Sequence, residues 1–143
     1  MTVGAVISDP KTSMEARVTA YGQLVTAPLA FSLPSQNTMA VDDQAYNFIV
    51  PKDGKKIIIT DIILLGDRSI GVADASVVVY ANTTGPDSTV VDETILAVDI
   101  AKNGQLVLTG LNLSPVTEGV WINAKSTDSS IGASIYYYYA TPV

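Results

Sequence analysis

Histidine and cysteine are absent from this sequence, and charge is scarce. Without imidazole or thiolate, the commonest general bases, activated nucleophiles and zinc ligands are missing, and carboxylate chemistry is what remains. The lack of cysteine also excludes disulfides and leaves the redox compartment open. Only 15% of residues are charged, against about 25% in an average soluble domain, so much of the surface must be uncharged or covered by neighbours. Long apolar runs are missing too. Stretches such as 77–81 are far too short to cross a bilayer as a helix, and no membrane partner is expected. The first ten residues carry no basic n-region and are cut by Ser8, Asp9 and Pro10, so the chain reads as a soluble protein made in a cytoplasm without a signal peptide.

What is present is an apolar fraction of 48% in 143 residues, enough for one domain with one core. Eight basic and fourteen acidic residues give a net charge of −6. A field of that sign repels phosphate backbones, and nucleic acid is not expected as a partner. Lys52, Lys55 and Lys56 cluster beside the Asp53-Gly54 turn and read as a solvated loop.

From about Gln44 onward, strand signals recur every 10 to 15 residues with no amphipathic helical period. Strands are predicted at 45–50, 56–65, 75–81, 90–100, 105–111, 119–125 and 131–139. Asp53-Gly54 and Asn103-Gly104 supply the positive φ of two-residue hairpin turns. The expected fold is all-β: a β-sandwich of jelly-roll type, with seven to eight antiparallel strands over residues 44–143. In 90–100 the even positions Val90, Thr94, Leu96, Val98 and Ile100 are expected inward, with Glu93 and Asp99 outward. The run from Ile57 to Leu65 is apolar on both faces, as expected where both faces are covered. Residues 1–43, broken by Pro10, Pro28 and Pro34, read as an extended N-terminal arm. Its residues Val18, Leu24, Val25, Leu29, Phe31 and Leu33 are too apolar for a freely solvated tail.

Candidate chemistry is thin. Glu15, Glu93 and Glu118 lie in separate segments, and nothing pairs them at the spacing of a glycosidase. Asp42, Asp43, Asp67, Asp87 and Asp128 are oxygen donors without the pattern of a calcium loop, and read as turn caps. No catalytic, cofactor or metal site is expected, and the chain is not expected to be an enzyme. Asp61 interrupts the isoleucine-rich strand and must find donors if buried. Trp121 reads as core. Tyr136 to Tyr139 put two rings on each side of the last strand, one pair for the core and one for the open face, where tyrosine suits subunit contact or sugar stacking. Asn82-Thr83-Thr84 and Asn112-Leu113-Ser114 match the glycosylation pattern by chance.

Three phrases carry a resemblance: Ala20-Tyr21-Gly22-Gln23-Leu24-Val25-Thr26-Ala27-Pro28-Leu29 in the arm, Tyr46-Asn47-Phe48 ahead of a turn and the isoleucine-rich strand, and Gly110-Leu111-Asn112-Leu113 leading to Glu118-Gly119-Val120-Trp121-Ile122. The combination resembles small virion proteins of tailed bacteriophages, and among them the jelly-roll decoration, or cement, proteins of phage heads. The resemblance implies a homotrimer on the capsid surface, bridging subunits of the major capsid protein. Val18, Leu24, Val25, Leu29 and Phe31 of the arm, with Tyr136 and Tyr138 of the last strand, would carry the contacts. A phage fibre or receptor-binding head, or a carbohydrate-binding module, uses the same sandwich and is the alternative.

Overall fold

In the computed structural model, the described residues are 32–39, 43–66, 74–127 and 131–142, together with the backbone of three short strands nearer the N-terminus. The chain divides into two units, Met1–Phe31 and Ser32–Val143. In the first, β1 (Ile7–Asp9), β2 (Met14–Val18) and β3 (Leu24–Val25) pair antiparallel in that order. The division falls twelve residues before the expected end of the arm at residue 43, because β4 (Leu33–Met39) pairs along its whole length with the last strand.

The second unit contains β4 and the seven strands predicted from the sequence: β5 (Tyr46–Ile49), β6 (Lys56–Gly66), β7 (Ala75–Asn82), β8 (Glu93–Ile100), β9 (Gln105–Leu108), β10 (Trp121–Ser126) and β11 (Ile131–Ala140). They form two four-stranded antiparallel sheets, ordered β4-β11-β6-β9 and β5-β10-β7-β8. The eight strands pair first with last, second with seventh, third with sixth and fourth with fifth. That is one long hairpin rolled on itself, the jelly-roll winding.

The Asn-Gly and Asp-Gly turns are where expected, but they are not hairpins. Lys55 N–H donates to Lys52 O at 3.0 Å with Gly54 at φ 65°, and Gly104 N–H donates to Ala101 O at 2.7 Å with Asn103 at φ 60°. Each closes a β-turn, yet β5 and β6 lie in different sheets, as do β8 and β9. These turns carry the chain across the sandwich instead of folding a strand on its neighbour. At the second crossing the backbones meet closely: Gly66 N–H donates to Gly104 O at 2.8 Å, and a Cβ on either glycine would lie within 3 Å of Ala101 O.

Core residues come from the inner faces of both sheets, with Ile59, Ile62, Leu64, Ile131 and Ile135 facing Ile49, Val77, Val79 and Ile122. Three bulges decide which residues enter it, and the one at Phe48 in β5, opposite β10, lets the neighbours Phe48 and Ile49 both be buried. In β6 the pairing with β11 slips at Thr60, so Tyr136 opposes Asp61 and Tyr137 opposes Ile59. An extra residue reverses the alternation: Ile57 and Ile59 point inward before it, Ile62 and Leu64 after it. Part of the double-faced apolar run is therefore a phase switch, and Ile58, Ile63 and Leu65 are left for the outer face. In β8 the slip falls at Ile95, between Thr94 opposite Tyr80 and Leu96 opposite Val79. Leu96, Val98 and Ile100 face the core as expected, but Thr94 is exposed, Val90 lies outside the strand in solvent, and Glu93 is half-buried. Uniform alternation fails there because the bulge spends one residue. Among the described residues no helix is long and apolar enough to cross a membrane.

Candidate functional site

The outer faces of the two sheets differ in kind. On β4-β11-β6-β9, the outward positions are those alternating with the core: Pro34, Gln36 and Thr38 on β4, Ile58, Ile63 and Leu65 on β6, Gln105 and Val107 on β9, and Gly132, Ser134, Tyr136 and Tyr138 on β11. Tyr138 pairs across with Ile58, and Val107 with Ile63. Leu65 and Val107 are 48% and 51% exposed. At about 3.3 Å per residue and 4.8 Å between strands, the whole face spans roughly 500 Å². Charge is nearly absent from it. Lys56 stands at one end, and the Asp61 carboxylate accepts the Gly110 N–H at 3.3 Å. That bond ties Asp61 to the loop that follows β9. Thr60, at the bulge, donates to Tyr136 O and meets the Ser32 hydroxyl at 2.9 Å.

The other outer face is polar, and the part of it over β10 and the end of β7 is covered, while Ser76, Thr94 and Asp99 stay exposed. Tyr80, Asn82, Trp121 and Asn123 alternate with the core residues Val79, Ala81 and Ile122, and residues 83–92 fold over them. Asn123 Nδ2 donates to Gly85 O and Ser88 O, both at 3.2 Å, and its Oδ1 accepts Asn47 Nδ2 at 2.9 Å. Tyr80 donates its hydroxyl to Ser88 O at 2.6 Å. The Asn82 Oδ1 accepts Thr84 N–H and Gly85 N–H, while its Nδ2 has no partner among the described residues. Burial pushes the Tyr80 phenol above its ordinary value, with Asp43 adding to the rise and the Asn123 hydrogen bond opposing it. Trp121 is a correction to the sequence reading: it is partly buried on this outer face, because Ile122 and Ala124 occupy the inward positions of β10.

Tyr137 and Tyr139, the inward pair, stack edge to face at 5.5 Å. Tyr139 donates to Val50 O at 2.7 Å, and its phenol is raised by burial and then by Tyr137. Lys52 Nζ lies 5.4 Å from the Tyr139 ring, a cation–π contact, and Lys55 donates to Thr141 Oγ1. The lysine cluster is thus tied to the end of the last strand, beside an open depression of about 430 Å³ that also includes Asp53 and Glu118.

Of the residues expected to make contacts, Tyr136 and Tyr138 lie together on the apolar face. Val18 ends β2 opposite Leu24, and Val25 pairs with Arg17; Leu29 and Phe31 lie outside the described residues. Glu93 and Glu118 come from segments that do meet, since both Glu93 oxygens accept the Val116 N–H at 2.9 and 3.2 Å. That geometry uses Glu93 as a clamp between loops. Among the described residues no three acidic groups converge in a metal-binding set. Asn82 is fully buried with its carbonyl engaged, which closes that sequon to modification in the folded state. Ile63, Leu65 and Val107 were missed as candidate contacts; the signal for the first two was the outward phase of β6 after Asp61, and for Val107 the alternation of β9. No family model matches this chain, and no curated protein is significantly similar to it.

Proposed function

We propose that this is a non-enzymatic virion protein that decorates a phage head and cements it by bridging major capsid subunits, as a trimer. One observation carries the reading: a nearly charge-free sheet face with Ile58, Ile63, Leu65, Val107, Tyr136 and Tyr138 outward, in a protein of net charge −6. Depletion of charge with enrichment of tyrosine marks the centre of a protein interface. A contact of roughly 500 Å² is smaller than the about 800 Å² per partner of a standard interface, so it holds well only when repeated. Three linked copies on a repeating shell supply that repetition through effective concentration.

The test is electron microscopy of purified particles of the encoding virus, with copy number from quantitative mass spectrometry. Hundreds of copies on the head surface are expected; a few to tens at the tail would overturn the reading. Tyr136 and Tyr138 favour one alternative, since residues two apart on a strand present neighbouring rings on one face, where sugars could stack. Glycan-array binding lost in Tyr138→Ala would support a carbohydrate-binding module instead.

A further inference from the structure

We infer that residues 83–92, the loop between β7 and β8, form a pre-shaped recognition loop that docks on the shell protein through Pro86, Asp87, Thr89, Val90 and Val91. This deepens the decoration reading and rests on it.

Polar groups lie beneath the loop. Tyr80, Asn82 and Asn123 are fully buried under it, yet these are groups that water would solvate well. Hydrophobic burial does not explain a lid over a phenol and two amides, particularly when the opposite sheet leaves Leu65 and Val107 bare. The loop is nevertheless clamped at many points. Asn82 holds the N–H groups of Thr84 and Gly85, Asn123 and Tyr80 hold the carbonyls of Gly85 and Ser88, and Lys125 Nζ lies 3.4 Å from Thr89 O. At the far end the Asp92 carboxylate accepts Thr83 N–H and Oγ1–H. A rigid loop loses little entropy on binding, which is the general advantage of preorganisation.

What the loop presents outward fits a partner. Val90 is 54% and Val91 38% exposed, and Val116, 88% exposed, is drawn to the same end by the Glu93 clamp. Asp87 is exposed and lines the same depression as Val90. The occupant is therefore a protein surface with an apolar cleft and a basic side chain opposite Asp87. A second copy of this chain would bring its own net charge of −6 to this carboxylate-bearing loop, so the contacts of the trimer are placed away from it.

The experiment incubates full-length protein with purified heads lacking it and reads occupancy by co-sedimentation, with sedimentation velocity run in parallel. Val90→Ser with Val91→Ser, both at exposed positions, is expected to reduce apparent affinity at least tenfold while melting and oligomer size stay unchanged. Asn123→Ala is expected to speed amide exchange at Thr84, Gly85 and Val90 and to weaken binding severalfold. Unchanged binding by the valine variant overturns the inference and leaves the decoration reading standing, as does undiminished binding by an Asn123→Ala protein whose loop has loosened. A change in oligomer size instead of shell binding makes the loop a contact between copies and also overturns it. Failure of the wild-type protein to bind heads overturns both readings.

Discussion

Replacing Asn123 with alanine tests the clamped loop energetically. The side chain is fully buried and hydrogen-bonds Gly85 O, Ser88 O and Asn47 Nδ2, besides its contact with the Tyr80 phenol. Each partner keeps another: Gly85 O still accepts Ser88 N–H, Ser88 O still accepts the Tyr80 hydroxyl, and Asn47 Nδ2 still reaches Ile49 O and Ile122 O. No group is orphaned, so the loss is about three net bonds at ~1 kcal/mol each, about 3 kcal/mol in all, without the further 1–3 kcal/mol for each stranded group. For a domain of this size that is a fall in Tm of about 10–13 °C, with an unchanged m-value in urea.

Tyr80→Phe by itself should cost about 1 kcal/mol, because Ser88 O then keeps Asn123. Combining the two strips Ser88 O of both donors, and the double variant should lose about 1–2 kcal/mol more than the sum. Urea unfolding of the four proteins measures the cycle. Additivity within 0.5 kcal/mol, or an Asn123→Ala loss below that figure, would falsify the account of a shared acceptor beneath the loop.

Glycine substitutions should separate close approach from backbone conformation. Gly104→Ala places a Cβ 2.8 Å from Ala101 O and should lower stability by about 1–3 kcal/mol, whereas Gly54→Ala, at φ 65° with open space around it, should cost only about 1 kcal/mol; equal melting shifts would count against this. The phenols of Tyr80 and Tyr139 are held above their ordinary 10.0, mainly by burial. The unfolded chain ionises first, so the stability they contribute is complete below about pH 10 and is lost as pH rises through the folded values. Urea midpoints should fall with alkaline pH while absorbance at 295 nm shows a late-titrating class, and a single transition near 10 with flat midpoints contradicts it. Leu65→Lys on the bare sheet face should change the unfolding free energy by less than about 0.5 kcal/mol while abolishing shell binding; a large loss of stability would show that Leu65 is packed in the isolated protein.

Strand positions were legible because each rests on a local signal: β-branched runs bounded by Gly, Pro or Asn, as in the seven strands from Tyr46 to Ala140. The eighth, β4, was hidden by Pro34 and by a polar pattern, Ser35-Gln36-Asn37-Thr38, because an edge strand needs few apolar residues. The outward Tyr136 and Tyr138 were legible too, since a strand fixes two faces by parity alone.

Composition and alternation by themselves determined an all-β sandwich, its turns and the split of the final tyrosines. They did so because backbone preferences and burial act over a few residues. Only the tertiary structure decided that Asp53-Gly54 and Asn103-Gly104 cross between sheets, that bulges at Thr60 and Ile95 reverse the faces of β6 and β8, and that residues 83–92 lie clamped over Tyr80 and Asn123. Pairing partners far apart in the chain settle each of these. The same short segment satisfies its local preferences either way, and only the strand or loop that arrives beside it selects one.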